Sequence, residues 1–214
     1  MKPRKIFIAG STGATGRVLV PMAERWGLDI VPHVRPQTAA KGAVHPKAAV
    51  FDLADTEALH GALEGCTTII QLIGTMRARF AQGDTYAASD IGTTRLLVEA
   101  GRRRMLDHFV LLSSVGADRP LVAYLKAKAE AESIVRGSMI PFTIVRPSSL
   151  QGDDRRPPPG LRAMTRAFGL RKYEPITLTD LSRALLHVAA TGRWEGKVLE
   201  GESLWEVVGA APPA

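Results

Sequence analysis

The chain has 214 residues, 45% of them hydrophobic and 23% charged, which is typical of a soluble globular protein that buries a substantial core. Its single cysteine, Cys66, excludes an internal disulfide and a cysteine-rich metal site, and the five histidines show no metal-binding spacing. The formal net charge of +7 would suit a nucleic-acid-binding protein, but no recognition motif or aromatic platform accompanies it, so nucleic acid is disfavoured as a partner.

Neither a membrane span nor a secretory leader is expected. No apolar run approaches the roughly 20 residues that cross a bilayer. The apolar run after the basic N-terminus, Ile6 to Ala9, is shorter than the about 7–15 residues of a signal peptide. We therefore expect a cytoplasmic protein, a monomer or homodimer, that acts on a small-molecule substrate.

Strand-like and helix-like segments alternate along the chain. The first half predicts, in order, a strand at Ile6–Ala9, a helix at Gly16–Trp26, strands at Leu28–Val34 and Ala48–Phe51, a helix at Thr56–Leu63 capped by Asp55, and a strand at Thr67–Ile73. The second half predicts a polar loop at Met76–Ser89, a helix at Asp90–Arg104, a strand at His108–Leu112, a helix at Leu121–Val135, a strand at Phe142–Val145, an irregular mobile segment at Gly152–Gly160, and a helix at Leu178–Ala190 capped near Thr179 or Asp180.

This alternation predicts an α/β protein, a doubly wound parallel sheet with helices on both faces. We expect one domain over residues 1–214, with a small C-terminal substrate lobe contributed by about 150–214. Pro32 is awkward in a central strand, since proline cannot donate to the ladder, and it predicts a local irregularity there.

The first predicted strand ends in a glycine turn that leads directly into a helix. Gly10, Gly13 and Gly16 follow G-x-x-G-x-x-G spacing, which permits a tight turn, close approach of a ligand and close packing of helix on strand. The unpaired N–H groups of the helix's first turn then bind an anion. The pattern predicts a pyrophosphate site of a dinucleotide.

Ligands of such sheets bind at the carboxyl ends of the strands. Small or polar residues follow the predicted strands at several of these ends, and together they form a coherent candidate site: Gly10, Arg35, Asp52, Gly74, Thr75, Ser113, Ser114, Pro147, Ser148 and Ser149.

Two of these strand ends bear on the choice of cofactor. Arg35 occupies the place where NAD-selective folds usually carry an acid, and a guanidinium there favours the 2′-phosphate of NADP over NAD. An ordinary surface arginine is the alternative. Asp52 could accept a hydrogen bond from the adenine amino group or instead cap the following helix.

Tyr124 and Lys128 lie four residues apart on a predicted helix and therefore share a face. A phenol is a poor acid at neutral pH, since its ordinary pKa is near 10, and a neighbouring ammonium can supply much of the roughly 4 kcal/mol needed to change that. The pair follows Ser113 and Ser114, one of which could hold a carbonyl oxygen while Tyr124 donates a proton. A buried tyrosine with a solvent-facing lysine is the alternative.

With glycine turn, serine pair and Tyr-x-x-x-Lys in this order, the chain resembles the short-chain dehydrogenase/reductase superfamily. It looks most like the atypical NAD(P)H-binding branch of NmrA-like sensors, flavin/biliverdin reductase B and TIP30-like oxidoreductases. The resemblance implies a Rossmann-type fold and a family triad at Ser114, Tyr124 and Lys128. It also implies that the cofactor contacts the following residues: Gly10, Ser11, Thr12, Gly13, Ala14, Thr15, Gly16, Arg35, Asp52, Leu53, Leu72, Ile73, Gly74, Ser113, Lys128, Pro147, Ser148 and Ser149.

One position departs from the family pattern. The asparagine expected early in the central helix is replaced by Asp90 or displaced from it. The expected function is an NADP(H)-dependent oxidoreductase that transfers hydride to a small carbonyl, quinone or flavin-like substrate. The alternative is a non-catalytic NADP(H)-sensing regulatory or assembly protein of the NmrA-like type.

A basic rim is expected over the nicotinamide end of the site, formed by Met76–Ser89 and Gly152–Lys172 as mobile loops. Residues 153–172 carry a net charge of +4. Such a rim would steer an anionic or polar substrate inward, whereas solvated loop charge is the plainer interpretation.

Overall fold

The computed structural model describes residues 4–74, 85–151, 165 and 170–214. Within them, seven parallel strands form one sheet in the order β3-β2-β1-β4-β5-β6-β9, and two further strands, β7 and β8, pair separately. The strands are β1 Lys5–Ala9, β2 Asp29–Val34, β3 Ala49–Val50, β4 Thr68–Gln71, β5 His108–Leu112, β6 Phe142–Val145, β7 Leu150–Gln151, β8 Ile176–Thr177 and β9 Lys197–Leu199.

Helices cover both faces of the sheet, as predicted. They are α1 Ala14–Arg25, α2 Pro36–Ala39, α3 Thr56–Ala62, α4 Thr93–Arg103, α5 Ala123–Arg136, α6 Leu178–Thr191 and α7 Glu202–Ala210. A π-helical segment, Ala87–Gly92, precedes α4, and a short 3₁₀ turn, Arg171–Tyr173, precedes β8. This is the Rossmann-type doubly wound fold.

Alternate side chains of each strand enter opposite halves of the core, because successive residues of a strand point to opposite faces. Ile6 and Ile8 pack with α1, α6 and α7, whereas Phe7 and Ala9 pack with α3, α4 and α5. Both halves are fully buried, which explains why the strands have continuous apolar sequences rather than alternating ones. Cys66 is a core residue, and burial raises the pKa of its thiol to about 11.

Several boundaries differ from the predicted ones. The irregularity expected at Pro32 is absent: β2 runs unbroken through it, because β3 pairs only with His33 and Val34 and leaves Pro32 without a strand neighbour on that side. The cap of α6 is Thr177, two residues before the predicted Thr179, and its hydroxyl accepts a hydrogen bond from the Asp180 N–H at 2.9 Å.

The helix predicted from Asp90 begins earlier, in the π-helical segment, so the end of the expected polar loop is helical instead. Residue 90 is therefore not at a helix start. The Thr94 hydroxyl donates to the Asp90 carbonyl at 2.6 Å, and the Thr93 hydroxyl donates to the Ser89 carbonyl. These side-chain bonds satisfy carbonyls within the widened turn.

Part of the C-terminal region belongs to the main body. Strand β9 extends the main sheet, and α6 and α7 complete one of its helical layers. Among the described residues, the β7–β8 pair forms a separate sheet after the carboxyl end of β6. The irregular segment predicted at 152–160 lies outside the described residues. No helix in the described parts of the chain is long and apolar enough to cross a membrane.

Candidate functional site

The glycine turn closes tightly between β1 and α1. Gly10 has φ +88°, a conformation that favours glycine, and its carbonyl accepts from the Gly13 N–H at 3.1 Å. A Cβ at Gly16 would lie 2.5 Å from the Ser11 carbonyl carbon and closer still to two backbone oxygens. The spacing of the glycines is therefore required by the backbone itself.

The start of α1 is open toward this turn. Gly13 is its N-cap, no side chain caps it, and its first turn contains no acid. The first helical hydrogen bond of α1 runs from the Arg17 N–H to the Gly13 carbonyl at 3.0 Å. The N–H groups of residues 14–16 therefore precede the hydrogen-bonded part of the helix. Uncapped N–H groups beside a turn without side chains fit the pyrophosphate of a dinucleotide.

We expect Gly16→Ala to lower the affinity for a nicotinamide dinucleotide more than about tenfold, equivalent to about 1.4 kcal/mol. The added methyl group must displace backbone, which costs about 1–3 kcal/mol of folding stability as well. Calorimetric titration and thermal unfolding measure the two effects. Gly61→Ala is the matched control, because a Cβ there meets nothing within 4 Å, and it should leave affinity unchanged. Wild-type affinity in Gly16→Ala would contradict the assignment of this turn.

The strand order reverses between β1 and β4, and ligands of doubly wound sheets bind at this point. The two loops touch there: a Cβ at Gly10 would lie 3.0 Å from the Ile73 nitrogen. Gln71 fixes the β4 loop, because its side-chain oxygen accepts from the Ile73 N–H and its amide donates to the Thr93 hydroxyl, both at 3.1 Å. The predicted residues Leu72, Ile73 and Gly74 thus border the glycine turn.

Histidine 33 organises the ends of β2 and β3, a role that the sequence did not indicate. Its ring lies between Phe7 and Phe51, and its Nε2 is 2.9 Å from the Phe51 carbonyl oxygen. Burial lowers its pKa, and the charge of Arg35 adds to this, whereas the Phe51 carbonyl and Asp52 oppose it. The His33 carbonyl also accepts from the Ser11 hydroxyl at 2.6 Å, which ties β2 to the glycine turn.

The predicted ribose and adenine contacts surround this imidazole. Arg35 is exposed directly after β2, at the N-cap position of the short helix α2, and its side chain makes no capping hydrogen bond there. Asp52 is also exposed, and its Oδ1 accepts from the Ala54 N–H at 3.0 Å, while the cap of α3 is Asp55 as predicted. Leu53 is buried in the core beneath them.

Lys128 lies in the interior of the site rather than in solvent. Its Nζ is 3.2 Å from the Leu112 carbonyl oxygen at the end of β5 and 5.8 Å from the centroid of the Tyr124 ring. Tyr124 is half-buried, and its ring also packs against Tyr86 at 5.9 Å. The alternative of a buried tyrosine with a solvent-facing lysine is thereby excluded, and the pair shares one face at the strand ends.

Asp90 forms an ion pair with Lys128. The Asp90 Oδ1 lies 2.9 Å from the Lys128 Nζ, and the side chains are 0% and 7% exposed. A Cβ at Gly74 would lie 2.9 Å from that Nζ and 3.1 Å from that oxygen, so the β4 loop packs directly against the pair. Asp90, the departure from the family pattern noted in the sequence, is thus a charged partner of the lysine.

The two serines after β5 have different environments. The Ser113 hydroxyl is buried and donates to Glu132 Oε1 at 2.5 Å, so any contact of Ser113 with a cofactor falls to its backbone. Ser114 is half-buried, and within the described residues its hydroxyl donates a long hydrogen bond of 3.3 Å to the Val115 carbonyl. Ser114 is therefore the serine whose hydroxyl can turn to a substrate.

A buried charge network supports the ends of β5 and β6. Arg146 donates to both oxygens of Glu132, from Nε at 2.8 Å and from Nη2 at 2.6 Å. This hydrogen bonding raises the pKa of the Arg146 guanidinium. The Arg146 Nη1 also lies 3.4 Å from Glu200 Oε2, after β9. Sequence reasoning missed Glu132 and Arg146 as organising residues, although Glu132 shares the helix face of Tyr124 and Lys128 at a further four-residue step.

The segment after β6 is held by backbone and side-chain bonds. The Pro147 carbonyl accepts from the Val115 N–H at 3.0 Å, which joins it to the serine loop. The Ser148 hydroxyl donates to the Glu174 carbonyl at 2.5 Å, and Ser149 is exposed. Pro147 and Ser149 thus lie at the same sheet edge as Ser114, which is where the resemblance places the nicotinamide.

Most of the expected basic rim cannot be placed in the structure, although its C-terminal end is described. Residues 75–84, 152–164 and 166–169 lie outside the described residues. At its C-terminal end, Arg171 Nη1 lies 2.5 Å from Glu202 Oε1, and Lys172 Nζ lies 3.1 Å from Glu200 Oε1. The Glu200 contact raises the pKa of Lys172. These two cations are paired within the fold, so they add no unbalanced charge to a rim.

The sequence of the chain is similar to that of NAD(P)H-binding proteins. The family model described as NAD(P)H-binding matches residues 10–191. A chloroplastic protein of Arabidopsis thaliana, uncharacterised, is 29% identical over 75% of this chain and 63% of its own length. The NADH dehydrogenase (ubiquinone) 1 alpha subcomplex subunit 9 of Dictyostelium discoideum is 23% identical over 90% of this chain and 57% of its own length. A divinyl chlorophyllide a 8-vinyl-reductase of Oryza sativa subsp. indica is 29% identical over 67% of this chain and 39% of its own length. The chain thus spans between 39% and 63% of the length of these relatives.

Solved structures share the fold at low identity. A UDP-glucuronic acid 4-epimerase of Bacillus cereus, in complex with UDP-glucuronic acid and NAD, has a TM-score of 0.69 at 18% identity, over 92% of this chain and 77% of the epimerase. A short-chain dehydrogenase/reductase superfamily protein of Agrobacterium tumefaciens with bound NAD has a TM-score of 0.68 at 19% identity, over 97% of this chain and 81% of that protein. Together with the glycine turn and the Tyr-x-x-x-Lys pair, the family match shows that the chain belongs to the NAD(P)H-binding family, as an atypical short-chain dehydrogenase/reductase.

Proposed function

We propose that the protein is an NADP(H)-dependent oxidoreductase that reduces a small carbonyl, quinone or flavin-like substrate. One observation carries the proposal: Lys128 Nζ lies between the Tyr124 ring and the Leu112 carbonyl, at the sheet edge where the α1 N-terminus is open. The fold thus brings three groups to one edge of the sheet: Tyr124 as the candidate acid, Lys128 as the neighbouring cation, and the α1 N-terminus as the anion site.

The residues have separable roles in this proposal. A bound nicotinamide supplies the hydride. Ser114 holds the substrate oxygen, Tyr124 donates the proton to it, and the Lys128 ammonium favours the phenolate that remains. Solvent returns the proton to Tyr124. The open turn at residues 10–16 holds the pyrophosphate, and Arg35 holds the 2′-phosphate.

The test is a panel of aldehydes, ketones, quinones and flavins, each assayed with NADPH and with NADH. Oxidation of NADPH that depends on one of these acceptors supports the proposal. Tight NADPH binding without turnover on any acceptor would reject it.

That outcome would favour a second function, a non-catalytic NADP(H)-sensing or assembly protein. Two observations support this candidate. Asp90 offsets the charge of the lysine that would assist Tyr124. In addition, one relative is named as a subunit of NADH dehydrogenase.

Preference for NADP over NAD is expected to depend on Arg35. Arg35→Ala should cost NADPH about 1.5–3 kcal/mol of binding free energy, the usual value of a charge-assisted hydrogen bond, and NADH little. Calorimetric titration of both cofactors measures this. Arg102→Ala removes the same charge from the C-terminal turn of α4, at the opposite edge of the sheet, and should change neither affinity. Equal affinities of the wild type for NADPH and NADH would contradict the role of Arg35.

A further inference from the structure

We infer that Asp90 is a positioning residue that fixes the Lys128 ammonium and offsets its charge, and that it thereby lowers the affinity of the site for the dinucleotide. The inference rests on the proposed function, since it concerns the site that would hold the cofactor. In this view, Asp90 determines how tightly the site holds a dinucleotide.

The pair has little room to rearrange. Lys128 Nζ is held from two sides, by the Asp90 carboxylate at 2.9 Å and the Leu112 carbonyl at 3.2 Å. The backbone at Gly74 closes a third side, where even a single added carbon would crowd both partners. Three separate elements therefore fix the ammonium, and the two side chains are almost inaccessible to water.

The π-helical segment brings Asp90 inward. Its widened turn carries the buried Asp90, and Tyr86, at its start, packs against Tyr124 on α5. The segment thus contacts both members of the Tyr-x-x-x-Lys pair, through a charge at one and a ring at the other. A change at Asp90 is transmitted to Lys128 directly, since no residue lies between them.

The carboxylate has opposite effects on stability and on binding. In the free protein it compensates a buried ammonium, which is strongly destabilising when left alone. Toward an incoming dinucleotide it cancels the field of that ammonium, and the dinucleotide is a polyanion attracted by positive charge. An asparagine would keep an oxygen for Lys128 but leave its charge unbalanced. Stability and cofactor affinity should therefore change in opposite directions.

Asp90→Asn tests this with binding and unfolding measurements that need no turnover. We expect a lower melting temperature together with an affinity for NADPH at least about threefold higher at low ionic strength. The gain should shrink as salt is raised toward about 0.15 M, because the attraction acts over distances that salt screens. A purely structural role predicts that affinity falls together with stability.

Two further variants sharpen the result. Glu99→Gln removes a carboxylate from an exposed ion pair with Arg103 on α4 and should leave affinity and melting temperature unchanged. The double variant Asp90→Asn/Lys128→Met removes both buried charges. It should recover stability relative to Asp90→Asn and bind NADPH no better than the wild type.

The outcomes separate the inference from the proposed function. A wild type that binds NADPH while Asp90→Asn binds it equally or more weakly would overturn the inference alone. A wild type that binds no dinucleotide would overturn both.

Discussion

Replacing Tyr124 by phenylalanine is expected to lower turnover on a carbonyl substrate by roughly 10²–10⁴, the usual contribution of a positioned acid. The ring keeps its contacts with Tyr86 and Lys128, so folding and NADPH affinity should remain at wild-type values. Steady-state kinetics on the most active aldehyde or ketone, with thermal unfolding and calorimetry on the same preparation, measure all three quantities.

Tyr173→Phe is the matched control for this variant. Tyr173 lies in the 3₁₀ turn and is 57% exposed, so loss of its hydroxyl should leave turnover unchanged. Quinones and flavins provide a second comparison, since they can accept a hydride without a proton from the phenol. Unchanged turnover of Tyr124→Phe on every active carbonyl substrate would remove the tyrosine from the mechanism.

Glu132→Gln is expected to destabilise the fold by up to about 3–5 kcal/mol, the cost of breaking a buried ion pair by removing one member, with the 3.4 Å contact of Arg146 to Glu200 offsetting part of it. The variant removes the charge opposite Arg146, while the amide still offers one acceptor to Ser113. Because this network joins the ends of β5 and β6, turnover should fall as well. Chemical denaturation gives the free energy of unfolding.

Glu130→Gln provides the comparison on the same helix. Glu130 pairs with Arg95 at 2.9 Å, but the two side chains are 47% and 63% exposed. Exposed pairs contribute about 0–1 kcal/mol, so this variant should unfold close to the wild type. If Glu130→Gln and Glu132→Gln lowered the free energy of unfolding equally, burial would not be the reason why the Glu132 pair stabilises the fold.

The first six strands and the glycine turn were predictable from the sequence because each is determined locally. An apolar run that stops at Gly10 leaves few alternatives, and β5 and β6 were predicted with their exact bounds. The Tyr124–Lys128 pair was predictable for the same reason, because four residues on one helix define a face. Local spacing, together with the serine pair that precedes Tyr124, predicted these parts of the site.

Contacts between distant segments were not predictable in this way. Glu132 and Arg146 form their pair only once α5 packs beside β6, and His33 of β2 gains its role only when Phe7 and Phe51 pack against its ring. The very short strands β7, β8 and β9, two or three residues long, carry too few residues for a pattern. Asp90 could be noticed as a departure from a family, but its partner could not be read from spacing.

The π-helical segment before α4 has a consequence for comparing this chain with others. A π turn holds about one residue more than an α turn, so Asp90 is offset by roughly 100° from the direction that uninterrupted α-helical numbering gives it. A homologue whose corresponding helix is α throughout would need one residue fewer to bring its own polar side chain to the lysine. An alignment without a gap here would then match Asp90 to a neighbouring residue with a different role.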